Sequence, residues 1–167
     1  AATVAAEDPQ FDGIVIGGDS MFELDGAVLG KPYTADVAAA RWRAMRGRTG
    51  VLHSGHSVYR IAPGEPVREA HAVAAASVTF AADVTDAATA AVRALGLSDA
   101  EIAAYVGTGE PLQVAGAFTV DSLGGAFIER VEGDPSTVVG MSLSTLRHLC
   151  TDLGVTWTQL WNRTDAS

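Results

Sequence analysis

The chain has 167 residues, 48% of them hydrophobic and 19% charged, with a formal net charge of -9 at pH 7, which is enough to bury one core in a single domain. An acidic chain without clustered Lys and Arg lacks the surface that grips a phosphate backbone or an acidic bilayer, so nucleic-acid and membrane partners are excluded. The single cysteine, Cys150, cannot form an internal disulfide, no apolar stretch approaches membrane-span length, and the alanine-rich start has no signal-peptide core, which together point to the cytoplasm.

In chain order, "FDGIVIGGDS" reads as a short buried strand built on Ile14, Val15 and Ile16, ending where Gly17 and Gly18 turn the backbone, with Asp19 at its exit. A turn at Leu24 to Gly26 follows. "TADVAAARWRAMRG" predicts a helix capped by Thr34, with Val37, Ala40 and Met45 on its apolar face and Gly47 as its stop. "GVLHSGHSVYRI" and "HAVAAASVTF" predict strands, and "DVTDAATAAVRALG" predicts a helix ending at Gly96. In "LSDAEIAAYVGTG" the Ser98 to Glu101 spacing is that of a capping box, opening a helix that turns Ile102, Tyr105 and Val106 inward. After a glycine- and proline-containing loop, "GAFIERV" predicts a strand. "SLSTLRHLCTDLG" predicts a helix with Leu143, Leu146, Leu149, Cys150 and Leu153 on one stripe and Gly154 at its end. Strands and helices intermix, which makes this a mixed α/β domain.

Several familiar sites are absent. Lys31 sits one residue too close to Gly26 for a P-loop, and Pro32 stands where that loop needs a hydroxyl and a free amide. Gly17 and Gly18 lack the GxGxxG order of a dinucleotide turn. His53 and His56, three apart on a strand, face opposite sides, so one is packed and one exposed rather than both on a metal. No GxSxG elbow occurs, Cys150 lies on an apolar stripe as a core thiol, and the "NRT" near the end is a chance match to a glycosylation acceptor. What remains is Asp19, Lys31 and Asp121 among glycine-rich stretches. Carboxylates suit an oxygen-preferring metal and the deprotonation of water, and a lysine neutralises phosphate charge. Each also has an ordinary use, the acids as turn or cap residues and the lysine as a solvated charge.

The blocks "IGGDS", "LDGAVLGKP", "HSGHSV", "YVGTGEPLQVAGAF" and "LGGAFIERVEGDPSTVVGMSL" resemble, in the same order, the signature blocks of the Maf-like nucleoside triphosphate pyrophosphatases. The resemblance runs over most of Val15 to Gly154. It implies a mixed-sheet, two-lobed α/β domain akin to the inosine triphosphatase architecture, commonly a homodimer, that hydrolyses a nucleoside triphosphate to the monophosphate and diphosphate with Mg or Mn. On this resemblance residues 1–167 form a single Maf-like domain, with 83–96 a helical insertion.

Position by position, the resemblance makes Asp19 the catalytic acid that accepts a proton from the attacking water. It makes Ser20 a base-reading residue, Lys31 the phosphate-binding lysine, and Asp121, with Asp19, a residue bearing on metal or base selection. Glu110 matches a recurrent family residue of unassigned role. The chain reads "QVAG" where the pyrimidine-preferring branch has "DKAG", so Val114 replaces a lysine, and Ser20 matches neither the threonine of one branch nor the glutamine of another. The base therefore stays open between dTTP or UTP and modified or methylated purine triphosphates. The family's opening strand and helix, with a "SASPRR"-like motif, is expected upstream of Ala1. The alternative to the enzyme is a weakly active, nucleotide-binding regulator of septum formation.

Overall fold

The computed structural model describes residues 7, 8, 10–82 and 96–161. Strands β1 (Gly13–Leu24) and β2 (Ala27–Leu29) lead to helix α1 (Ala35–Met45), followed by the long strands β3 (Thr49–Ile61) and β4 (Arg68–Phe80). Helix α2 (Asp99–Gly107), strand β5 (Ile128–Glu132) and helices α3 (Pro135–Val139) and α4 (Leu143–Asp152) complete the α/β domain. Short 3-10 turns cover Glu110–Gln113, Ala115–Ala117, Leu123–Phe127 and Trp157–Leu160. The sheet runs β2-β1-β3-β4-β5, and every pairing among the described residues is antiparallel.

The first correction concerns β1. It does not turn at Gly17 and Gly18 but runs through both, so Asp19 lies mid-strand rather than at its exit. Pairing with β3 overrides the local glycine signal: Gly17, Gly18 and Asp19 stand opposite Ser57, His56 and Gly55 in an unbroken register. Glycine at 18 serves close approach instead of a turn, since a Cβ there would lie 3.1 Å from the Gly55 carbonyl oxygen. The chain reverses further on, at Asp25 and Gly26, where φ of 51° and 80° gives the type I′ geometry that suits the twist of a tight hairpin.

One face of the sheet is covered, and the register puts Phe22, Leu52 and Ala76 side by side on it, with Ile16, Val58 and Ala70 farther along the same strands. At one end Trp42, Phe22, Phe80, Phe118 and Tyr105 form a web of edge-to-face rings. At the other, Leu146, Leu149, Cys150 and Leu153 of α4 and its C-terminal turn pack on Val58. Between the two clusters the covered face turns polar and small: Gly18 and Ser20 on β1 lie opposite His56 and Ser54 on β3. Helix α3, which the sequence reading left unassigned, lies over this gap against β3 and β4.

The other expectations divide by element. Helix α2 carries its capping box and buries Ile102, Tyr105 and Val106. His56 is buried and His53 partly exposed, as alternation on a strand requires. Helix α1 is capped by Thr34, but its buried stripe is Ala38, Trp42 and Met45 rather than Val37, Ala40 and Met45. The large indole sets the helix rotation, and its Nε1 donates to the Ala117 carbonyl at 2.7 Å. In α4, Leu143 is exposed while the rest of its stripe is buried, because it sits in the first turn beyond the core. The strand in "GAFIERV" begins only at Ile128, the preceding residues forming a 3-10 turn. The helix expected over residues 83–96 falls almost wholly outside the described residues. No helix among the described residues is long and apolar enough to cross a membrane.

Candidate active site

Beside the polar gap, along the stretch of β1 that β2 leaves unpaired, lies an open cleft of about 250 Å³. Asp19, Ser20, Lys31 and Asp121, named from the sequence, all line it, together with Thr119 and Gly140. Four separate segments bring them together: β1, the loop after β2, the turns that follow α2, and the end of α3.

Asp19 is exposed, and its Oδ1 accepts the main-chain N–H of Ser20 at 2.8 Å. That bond ties Oδ1 to its own strand, and Oδ2 has no hydrogen bond to the described residues. Lys31 is held by its neighbours. The Gly30 carbonyl accepts from Gly116 N at 3.3 Å and from the Arg41 guanidinium, Pro32 is buried, and Tyr33 N donates to the Leu112 carbonyl at 3.0 Å. The glycine and proline that flank Lys31 thus anchor the loop, and among the described residues its ammonium has no carboxylate partner.

Asp121 is presented by a loop that one buttress holds. The Glu110 carboxylate accepts from Tyr105 Oη at 3.0 Å, Ser122 Oγ at 2.9 Å, Gly124 N at 3.0 Å and Leu123 N at 3.3 Å, and from Thr119 Oγ1. Its donors bracket Asp121 on both sides. Desolvation would raise the Glu110 carboxyl, but the bonds from Thr119, Gly124, Ser122 and Tyr105 outweigh it and hold the pKa down to about 2. Burial pushes the Tyr105 phenol up to about 12, so it stays a donor. A side chain at position 124 would come within 2.5 Å of Tyr105 Oη, which explains the glycine there. Glu110, left without a role by the sequence, is therefore a positioning residue. Its distinguishing signal, an acid among Thr, Ser and Gly some ten residues apart, is visible only once the loop folds back.

The opposite wall of the cleft is built in the same way. Asp134 caps α3 and accepts from Ser136 N at 2.9 Å, Ser142 Oγ at 2.8 Å and Ser144 Oγ at 2.8 Å. Bonds from Ser136 and Ser144 hold its carboxyl well below the usual carboxylate range. Ser142 N donates in turn to His56 Nε2 at 2.9 Å. Gly140 ends α3 with φ of 116°, placing Val138, Val139 and Gly140 along the cleft. Ser54, under the floor, was also missed by the sequence reading. It is fully buried, bonded to Ser20 and to the Thr137 carbonyl.

The order and spacing of these segments match a known family: the profile of "Maf: Maf-like protein" aligns with residues 1–153. The chain belongs to the Maf-like protein family. Among its relatives, a protein of Leifsonia xyli subsp. xyli is 55% identical over 163 residues, covering 98% of this chain and 69% of the relative. One of Rhodococcus jostii is 49% identical over 158 residues, 95% and 67% of the two chains, and one of Salinispora tropica is 52% identical over 150 residues, 90% and 59%. All three are named nucleoside triphosphate pyrophosphatase. The chain thus spans roughly two thirds of the length of these Maf-like relatives.

Proposed function

We propose that this Maf-like chain hydrolyses nucleoside triphosphates to the monophosphate and diphosphate, the activity its relatives' names describe. The observation that carries the reading is the gathering of Asp19, Lys31 and Asp121 in one open cleft. A triphosphate brings several negative charges to a site with two carboxylates and one free ammonium, so a bound cation is needed to balance it. Asp19 and Asp121 supply oxygen donors of the kind magnesium or manganese takes, and among the described residues no set of three His, Cys, Asp or Glu side chains is arranged to hold a metal alone. That suits a cation held by one or two carboxylates and completed by substrate phosphates. When bound, it would spread the charge that develops on the phosphoryl oxygens.

The protein's own groups do the rest. Oδ2 of Asp19, free of the Ser20 bond, orients a water and takes its proton as the oxygen attacks phosphorus. Lys31 draws in the phosphates and neutralises the leaving diphosphate. Ser20, Thr119 and Gly140 shape the rest of the cleft, and Glu110 holds the loop on which Asp121 stands. We place the substrate in the class of canonical or modified (d)NTPs, and the active form as a cytoplasmic homodimer.

The test is a panel of nucleoside triphosphates with magnesium, with manganese and with EDTA, resolving nucleoside monophosphate plus diphosphate from nucleoside diphosphate plus inorganic phosphate. Monophosphate and diphosphate in equal amounts, lost in EDTA and restored by the cation, support the reading. No turnover of any triphosphate, or release of inorganic phosphate alone, overturns it.

A further inference from the structure

The hydroxyls beneath the cleft have a fixed direction. Ser54 Oγ lies 2.9 Å from the Thr137 main-chain oxygen, and a carbonyl can only accept, so the single Ser54 proton is spent there. Ser20 Oγ lies 2.6 Å from Ser54 Oγ. With Ser54's proton already used, Ser20 must be the donor in that contact. Ser20's proton is therefore committed to Ser54 on β3, and Ser54's to the Thr137 carbonyl of α3. What Ser20 offers the cleft is lone pairs alone.

An acceptor-only hydroxyl sorts ligands by chemistry. It repels phosphate oxygens and bare ring nitrogens and welcomes an N–H. The cleft is thus polarised: Lys31 attracts the anionic end of a ligand, and the Ser20 side rejects it. Gly140 lies beside this hydroxyl, a Cβ there standing 3.7 Å from Ser20 Oγ. Ser54 is fully buried, so it acts only through Ser20.

We propose that Ser54 is a specificity-determining positioning residue: by taking Ser20's proton it sets Ser20 as an acceptor, and so selects nucleobases that present a ring N–H to the cleft, as uracil, thymine, guanine and hypoxanthine do. This rests on the nucleotide-hydrolase reading above. A sugar hydroxyl is the other donor a nucleotide carries, and the test separates the two.

The experiment compares UTP with CTP and GTP with ATP, where CTP and ATP carry a bare ring nitrogen in place of the N–H, and each with its 2′-deoxy counterpart. It is run in the wild-type chain, Ser54→Ala and Ser54→Thr. Both kcat/KM and the Kd of α,β-methylene analogues are measured, so the ratio is read even without turnover. The wild type should favour UTP over CTP and GTP over ATP, and Ser54→Ala should shrink each ratio by roughly five- to tenfold, through KM more than kcat, because Ser20 is then free to turn its proton outward to the bare ring nitrogen. Ser54→Thr keeps a hydroxyl and should keep the ratio. Ser20→Ala should show the same loss, with Ser54→Ala adding nothing to it. A folded Ser54→Ala that weakens both members of a pair equally, or leaves the ratio unchanged, overturns the proposal. So does a ratio that follows the 2′-hydroxyl instead of the ring N–H. Should Ser54→Ala fail to fold, Ser54→Cys, which preserves volume with a weak donor and acceptor, must show the narrowed ratio. An absence of turnover with the Kd ratio intact would refute the hydrolase reading while leaving this one standing.

Discussion

Asp19 and Ser20 are adjacent in β1 and do opposite work: the main-chain N–H of Ser20 fixes one oxygen of the Asp19 carboxylate at 2.8 Å, while the Ser20 side chain turns under the sheet to Ser54 at 2.6 Å. Strand alternation makes this possible. Successive residues point to opposite faces, so one short stretch places a carboxylate at the open edge and a hydroxyl over the floor.

On the proposed hydrolase reading, Lys31 would carry the electrostatic part of substrate capture. Replacing it by methionine keeps the stem and removes the charge, and the loop stays anchored through Gly30, Pro32 and Tyr33. A charge-assisted hydrogen bond contributes about 2 kcal/mol, so kcat/KM should fall roughly 10- to 100-fold with the melting temperature unchanged. Steady-state kinetics against added salt checks the cause: the wild type should lose activity with rising ionic strength more steeply than Lys31→Met.

Glu110 couples the loop of Asp121 to acid stability. Its carboxyl titrates at about 2 in the folded chain against an ordinary value of 4.5. A carboxyl depressed by folding stabilises fully above its unfolded pKa and loses that contribution as pH falls through the folded one. Thermal melts should therefore show a loss between about pH 4.5 and 2, shared with Asp134. Glu110→Gln brings an amide that cannot accept every surrounding N–H and O–H, and should cost about 2 kcal/mol at neutral pH. The gap between variant and wild type should close as the pH is lowered through that window.

Gly140 separates strain from crowding. An alanine Cβ would meet only Ser20 Oγ, at ordinary contact distance, but φ of 116° is a conformation that side chains rarely adopt. Gly140→Ala should lose about 2 kcal/mol in denaturant unfolding with substrate affinity changed only a few-fold. A large KM effect without a stability loss would show that the cleft wall, and not the backbone, is the sensitive part.

The parts of this molecule legible in its sequence are those governed by local chemistry. The Ser98 capping box, the hairpin turn at Asp25 and Gly26, and the alternation of "LHSGHSV" follow from residues within a few positions of one another, and each stands where expected. Gly17 and Gly18 looked like a turn because nothing nearby announces β3 as a partner; only the pairing with His56 and Ser57 keeps them in a strand. Helix α1 is so rich in alanine that periodicity alone leaves its face undecided, and Trp42 settles it by filling the ring cluster. Asp19, Ser20, Lys31 and Asp121 were nameable because their short motifs are distinctive. Ser54 and Asp134 were not, and Glu110 was named without a role, since each acts through partners that only the tertiary fold brings within hydrogen-bond reach.

The most direct test of the account is the turnover of Asp19→Asn. The amide keeps the size of the side chain and an oxygen for the Ser20 N–H, so fold and triphosphate binding should stay within a few-fold of the wild type, while kcat for diphosphate release should fall by roughly 10²- to 10⁴-fold, the range expected for a lost general base. An Asp19→Asn protein that releases diphosphate at a rate near the wild type's would contradict it.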